Sequence, residues 1–112
     1  MAEQQQNVRS SSVRERIRER SRKKTSDRKP PTRYKVIMHN DDETTMDFVE
    51  KVLRVVFFYN KQDAHDLMMK IHTEGSAVVG VYDYDTAISK VFKVQRMAEE
   101  KKFPLRLTVE SL

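Results

Sequence analysis

The stretch Tyr34-Lys-Val-Ile-Met-His39-Asn40-Asp41-Asp42-Glu43-Thr44-Thr45-Met46-Asp47-Phe48-Val49 passes from one kind of secondary structure to another, and its reading decides the fold. Tyr34 to His39 is short, β-branched and aromatic, which predicts a strand, and Asn40-Asp41-Asp42 predicts a polar turn. Thr44 is the expected helix cap, its hydroxyl accepting from a free backbone N–H, with Asp47 three residues on completing a capping-box-like pair. Met46, Val49, Leu53 and Val56 then recur at i, i+3, i+7 and i+10, one face of a helix.

Working outward, Asn60 followed by Asp63 predicts the start of a second helix. Its apolar positions Ala64, Leu67, Met68 and Ile71 keep the helical period, and Gly75 is a left-handed stop. Ala77 to Tyr82 reads as a second strand. Asp83 or Asp85 caps a third helix that buries Ala87, Val91, Val94 and Ala98 and ends between Glu99 and Lys102, before Pro104. Leu105, Leu107 and Val109 alternate with Arg106, Thr108 and Glu110, so the last strand has one apolar and one polar face. The order is β-α-α-β-α-β. The expected class is α+β: a small two-layer sandwich in which three helices cover a three-stranded antiparallel sheet, spanning residues 33–112 as a single domain.

Residues 1–32 differ in composition. Gln4-Gln5-Gln6, Ser10-Ser11-Ser12, the Arg-rich run from Arg14 to Lys24 and Pro30-Pro31 contain almost nothing to bury, which predicts a flexible basic extension. Val13 and Ile17, with Glu15 and Glu19 among arginines, support at most a transient helix. The 112-residue chain carries a formal charge of +5, which taken whole suggests a nucleic-acid binder. The charge is unevenly placed, however. Residues 1–33 hold 11 Lys/Arg and 4 Asp/Glu (+7), while residues 34–112 hold 11 and 13 (−2). A nucleic-acid or ribosome-associated protein using the basic arm is therefore the alternative reading. Against it, the arm has no interleaved aromatics for base stacking, so no nucleic acid is expected as partner.

Several chemistries are excluded. Without cysteine there are no disulfides, thiolate nucleophiles or cysteine-based zinc sites. His39, His65 and His72 have no metal-site spacing, and neither a glycine-rich phosphate loop nor G-x-S-x-G occurs. Ser76, Ser89 and Ser111 show no linked base. The expectation is a protein that is not an enzyme and has no catalytic residue, metal or cofactor. The longest apolar run, Val55 to Tyr59, is far short of the ~20 residues of a membrane span. The N-terminus lacks a signal-peptide apolar core, so a bacterial cytoplasmic location without membrane contact is expected.

One cluster rises above this background. Asn40, Asp41, Asp42 and Thr44 form an acidic turn between strand and helix, and Met46, Val49, Met68, Ile71 and His72 come from the two helices that follow. A carboxylate, an amide, an imidazole and thioether walls suit a ligand cationic at one end and apolar at the other. By pattern alone, the Met and Val positions read as core rather than pocket.

These residues closely resemble the ClpS family, adaptors of the ATP-dependent Clp protease. The resemblance rests on N-D-D-x-T-x-M at Asn40 to Met46, M-x-x-[IV]-H at Met68 to His72, Gly75, Gly80-Val81-Tyr82 and Pro104-Leu105, across roughly residues 33–112. It implies an adaptor that binds N-degrons, proteins with a free N-terminal Phe, Leu, Tyr or Trp, and delivers them to the ClpA unfoldase of ClpAP as a monomer. By matching position, Asn40, Asp41 and His72 would hold the substrate's α-amino group and first peptide unit, with Asp42 and Thr44 on the rim. Met46, Val49, Met68, Ile71 and Leu105 would line the side-chain pocket, Met46 guarding it against β-branched residues. Asp85 and Lys90 map to family contacts with the unfoldase, where the resemblance implies Glu and Lys, so that Asp85 is a shorter acid than the family commonly has. Thr45 and His39 depart from the commonest family pattern. The extension, through which the family engages its unfoldase, has no matching residues here.

Overall fold

The computed structural model describes residues 32–112; the basic extension over residues 1–31 lies outside the described residues. In chain order the elements are β1 (Tyr34–His39), α1 (Met46–Val55), α2 (Lys61–Glu74), β2 (Ser76–Tyr82), α3 (Tyr84–Lys101) and β3 (Arg106–Ser111). The β-α-α-β-α-β order is the expected one. β1 lies in the middle of a three-stranded antiparallel sheet of order β2-β1-β3.

The sheet turns one face to the helices. Val36 and Met38 of β1, Ala77 and Val79 of β2 and Leu107 of β3 are buried against Val52 and Leu53 of α1, Ala64, Met68 and Ile71 of α2, and Ala87, Val91, Val94 and Ala98 of α3. Phe48 meets Phe103 edge-on, with ring centroids 5.1 Å apart, closing one side of this core. The other face of β1 carries Lys35, Ile37 and His39, as the period of two requires.

β2 contains an irregularity that simple alternation does not predict. Val36 pairs with Gly80 but Ile37 pairs with Val78, so Val79 is an extra residue in the ladder. The bulge resets the alternation and lets both Val79 and Tyr82 pack toward the core. The Tyr59 hydroxyl donates to the Val79 carbonyl at 2.7 Å. The Tyr82 ring folds back over Gly80, occupying the space a Cβ there would need.

Helix boundaries follow side-chain capping. Asn60 caps α2, accepting from the Asp63 N–H at 2.8 Å, and Asp83 rather than Asp85 caps α3, accepting from Thr86 at 2.8 Å. The α1 cap differs from expectation by one residue. Thr45, not Thr44, accepts from the Phe48 N–H (3.2 Å), and the Thr44 hydroxyl is turned back into the turn, donating to Asp41. α2 stops at Gly75 (φ +94°), whose N–H reaches the Ile71 carbonyl.

Candidate functional site

β1 ends where three other segments arrive. His39 pairs with Ser76 on one side and Arg106 on the other, so the chain just past β1 meets the end of α2 and the residues preceding β3. The Asn40 N–H donates to the Gly75 carbonyl at 2.9 Å, tying the acidic turn to the α2 terminus three residues beyond His72. Leu105, one position before Arg106, therefore belongs to this same end of the sheet. Backbone pairing thus gathers residues spread over more than sixty positions of sequence.

The turn itself is built on Asp41. Its Oδ1 accepts from the N–H groups of Glu43 (2.8 Å) and Thr44 (2.7 Å), and its Oδ2 accepts from the Thr44 hydroxyl (2.7 Å). A carboxylate offers about four acceptor sites, so three are filled from within and one remains. Partial burial pushes the Asp41 carboxyl up. The hydrogen bonds from the Thr44 N–H, the Thr44 hydroxyl and the Glu43 N–H outweigh this and leave it below the ordinary carboxylate value. The group stays ionised, and the turn keeps its shape, well below neutral pH.

Asn40, Asp42 and His72 present exposed side chains, while Asp41 and Thr44 are half-buried. His72 stands in the last turn of α2, where the helix carbonyls supply partial negative charge. With Asp41, Asp42, Glu43 and Glu74 nearby in the chain, this end of the molecule favours a cation.

Of the apolar residues, Val49, Met68, Ile71 and Leu105 are buried within the single core cluster, each under 10% exposed, whereas Met46 is 43% exposed. The first four are thus part of the common core, while Met46 opens α1 just after the turn. Phe48 and Val52, which the i, i+3, i+7 reading of α1 passed over, are core residues as well. A wider apolar face on α1 is the signal that would have found them.

Asp85 and Lys90 are placed differently. Asp85 is exposed in the first turn of α3. Lys90 points inward: its Nζ donates to the Val56 carbonyl at 2.8 Å and lies 4.6 Å from the Phe58 ring centroid and 5.2 Å from that of Tyr82. Five helical residues apart, the two do not share a helix face.

One feature had no counterpart in the motif reading. Lys51, Arg54 and Val55 of α1, with Tyr59, Asn60 and Lys61 at the start of α2, enclose a groove of about 530 Å³ at the opposite end of the helix pair. The sequence signal was slight: two cations at i and i+3, and a third across the connection.

Comparison with known proteins fits this geometry. Residues 29–108 match the family model of the ATP-dependent Clp protease adaptor protein ClpS. The chain belongs to the ClpS family. Among curated relatives, the ClpS adapter of Wolinella succinogenes is 51% identical over 80 residues, covering 71% of this chain and 78% of that protein. The ClpS adapter of Acetivibrio thermocellus is 50% identical over 84 residues, 75% and 85% of the two chains. The solved structure of Agrobacterium tumefaciens ClpS2 bound to L-phenylalaninamide aligns with a TM-score of 0.72 and 38% identity, over 74% of this chain and all of that one. ClpS proteins are adaptors of Clp protease rather than the protease itself, and the α+β sandwich is the ClpS fold. Among the described residues, no helix is long and apolar enough to cross a membrane, and no group of three or more His, Cys, Asp or Glu is arranged to hold a metal.

Proposed function

We propose that this chain captures proteins by a free N-terminal Phe, Leu, Tyr or Trp and delivers them to the ClpA unfoldase of ClpAP. The observation that carries the reading is the Asn40–Gly75 hydrogen bond, which ties the Asp41 turn to the α2 terminus bearing His72; in this reading the buried Val49, Met68, Ile71 and Leu105 supply the apolar contact. The ligand of the Agrobacterium relative, L-phenylalaninamide, has the same three parts as such a terminus: an α-amine, an aromatic side chain and an amide.

In this reading the protonated α-amine donates to the Asn40 side-chain oxygen, to the remaining acceptor site of Asp41 and to a ring nitrogen of His72. Asp42 and Thr44 complete the rim. An α-amino group with an ordinary pKa of about 7.7 to 8.0 is largely cationic at pH 7. Each charge-assisted bond is worth about 1.5 to 3 kcal/mol, and burying a Leu or Phe side chain about as much again, so terminus and side chain are both needed for micromolar affinity. Side chain and amine enter together when Val49 and the flexible thioethers of Met46 and Met68 part to admit the ring, which accounts for tolerance of differently shaped residues. Met46 at the rim rejects β-branched side chains.

The 33–112 domain carries this binding as a cytoplasmic monomer with no cofactor, and the 1–32 extension engages the unfoldase. Asp85 supplies an exposed unfoldase contact. Lys90 contributes by holding the loop after α1 rather than through a free ammonium group.

Fluorescence anisotropy with a labelled Phe-led peptide and its Nα-acetylated twin tests the reading. Acetylation removes the charge and the amine donors, so only the free form should bind. Equal affinity for the two would overturn it.

A further inference from the structure

α1 and α2 pack as an antiparallel pair, and their contact at Glu50 and His65 (2.5 Å) fixes how their residues face each other. On α1, Met46, Glu50 and Arg54 stand at i, i+4 and i+8, one ridge of the helix; on α2, Lys61 and His65 are i, i+4 neighbours, and His72, seven residues further on, lies on the same face. The seam between the helices therefore runs from Met46 and His72, at the terminus site, past Glu50–His65, to Arg54 and Lys61 at the groove. Lys51, Arg54 and Lys61 have no hydrogen-bond or ion-pair partner among the described residues. Asp63, acting on Tyr59, and Glu50, one helical turn before Arg54 and bonded to His65, are carboxylates near the groove, whose own lining carries three cations and no acid. The domain around it is net acidic. Val55, 46% exposed, and Tyr59 give the groove apolar walls.

We infer that this groove is a second substrate contact that selects acidic residues downstream of the bound N-terminus. The inference rests on the adaptor reading above. Met46 and Arg54 are eight helical residues apart, about 12 Å at 1.5 Å per residue, and an extended peptide covers that distance in about four residues. Acidic side chains at about the fourth to sixth substrate positions reach the three cations. Acids at the second and third positions meet Asp42 and Glu43 and are disfavoured. A groove with Val and Tyr walls and only three cations fits an acidic peptide better than a track of phosphates.

The test uses the full chain and free-amine peptides led by Phe that carry Glu, Ser or Lys at the fourth to sixth positions. The Glu peptide should bind about three- to tenfold tighter than the Lys peptide at low salt, with the gap shrinking as salt is raised to about 0.5 M. The triple variant Lys51→Glu, Arg54→Glu, Lys61→Glu should reverse the order while still binding the Ser peptide, and that retained binding shows the variant is folded. Equal affinities for all three peptides, or discrimination that survives in the triple variant, would overturn the inference and leave the terminus site standing. Failure of every free-amine peptide to bind would overturn both. If peptides of either charge bind alike and a single-stranded RNA oligonucleotide binds in a way lost in the triple variant, the groove is a nucleic-acid site instead.

Discussion

The two ends of the α1–α2 pair differ in how their charges are held. At the acidic end, Asp41 spends three acceptor positions on the Glu43 N–H and the Thr44 N–H and hydroxyl, and Asn40 is fastened to Gly75. At the basic end, Lys51, Arg54 and Lys61 surround a groove without partners among the described residues. One end spends charge on its own architecture and the other leaves charge free for something else. Charge at the first should therefore be coupled to folding, and charge at the second should not.

The largest expected effect breaks the acidic end. Asp41→Ala strands two turn N–H groups and a hydroxyl, which should cost about 2 kcal/mol of stability, less than the sum of three bonds because the turn is only half-buried. It should also abolish peptide binding. Changing Lys51, Arg54 and Lys61 together to Ala should move stability by about 0.5 kcal/mol or less. Urea midpoints compare the two directly, and equal losses would erase the contrast. His72→Ala sharpens it from the other side. His72 is exposed, so its loss should weaken binding of a Phe-led peptide about tenfold, near 1.4 kcal/mol, with an unchanged melting temperature. A melting temperature that falls with the affinity would make His72 a structural residue.

A smaller effect comes from the joint between turn and helix. Gly75 sits at φ +94°, where a side chain is strained, and its carbonyl holds Asn40. Gly75→Ala should cost about 1 kcal/mol, with Gly75→Asn recovering part of it, since Asn tolerates left-handed backbone better. Equal stability of all three proteins would mean the α2 stop is not what positions the turn.

The fold was almost fully legible in the sequence because its elements are marked locally: Asn60 and Asp83 cap, Gly75 stops, and Val91, Val94 and Ala98 keep a helical period. The bulge at Val79 was not legible. It depends on Gly80 and on Tyr59 twenty residues away, and no local spacing reveals either. The site divided along the same line. Asn40 to Thr44 stood out as an acidic turn, but the α1 cap lies at Thr45 rather than Thr44, whose hydroxyl is turned back to Asp41, a side-chain bond that no spacing announces. Lys90 shows the limit most clearly, since a lysine on a helix reads as solvated and here its ammonium group caps a carbonyl at the end of α1. The unpaired cations were visible only as scattered charges until the helices were antiparallel.

The smallest effect is a pH dependence that also separates the two ends. Burial lowers the His39 imidazole below its ordinary 6.5. The nearby Arg106 adds to this and Glu110 opposes it, while Nε2 stays 2.8 Å from the Thr108 hydroxyl. The unfolded chain therefore takes up a proton at His39 before the folded chain does, so stability falls as pH drops through 6.5. Asp41 acts with the same sign at lower pH. Its folded carboxyl lies below the ordinary 3.8, so the stability it supplies is present above that value and is lost as pH falls below it. Urea midpoints taken from pH 7.5 to pH 3 should fall in two stages. His39→Gln should flatten the upper stage and Asp41→Asn the lower. The triple Ala variant at the basic end should leave both stages in place, because lysine and arginine do not titrate in this range. A profile flattened by the basic-end substitutions would mean that those cations interact with the folded carboxylates after all.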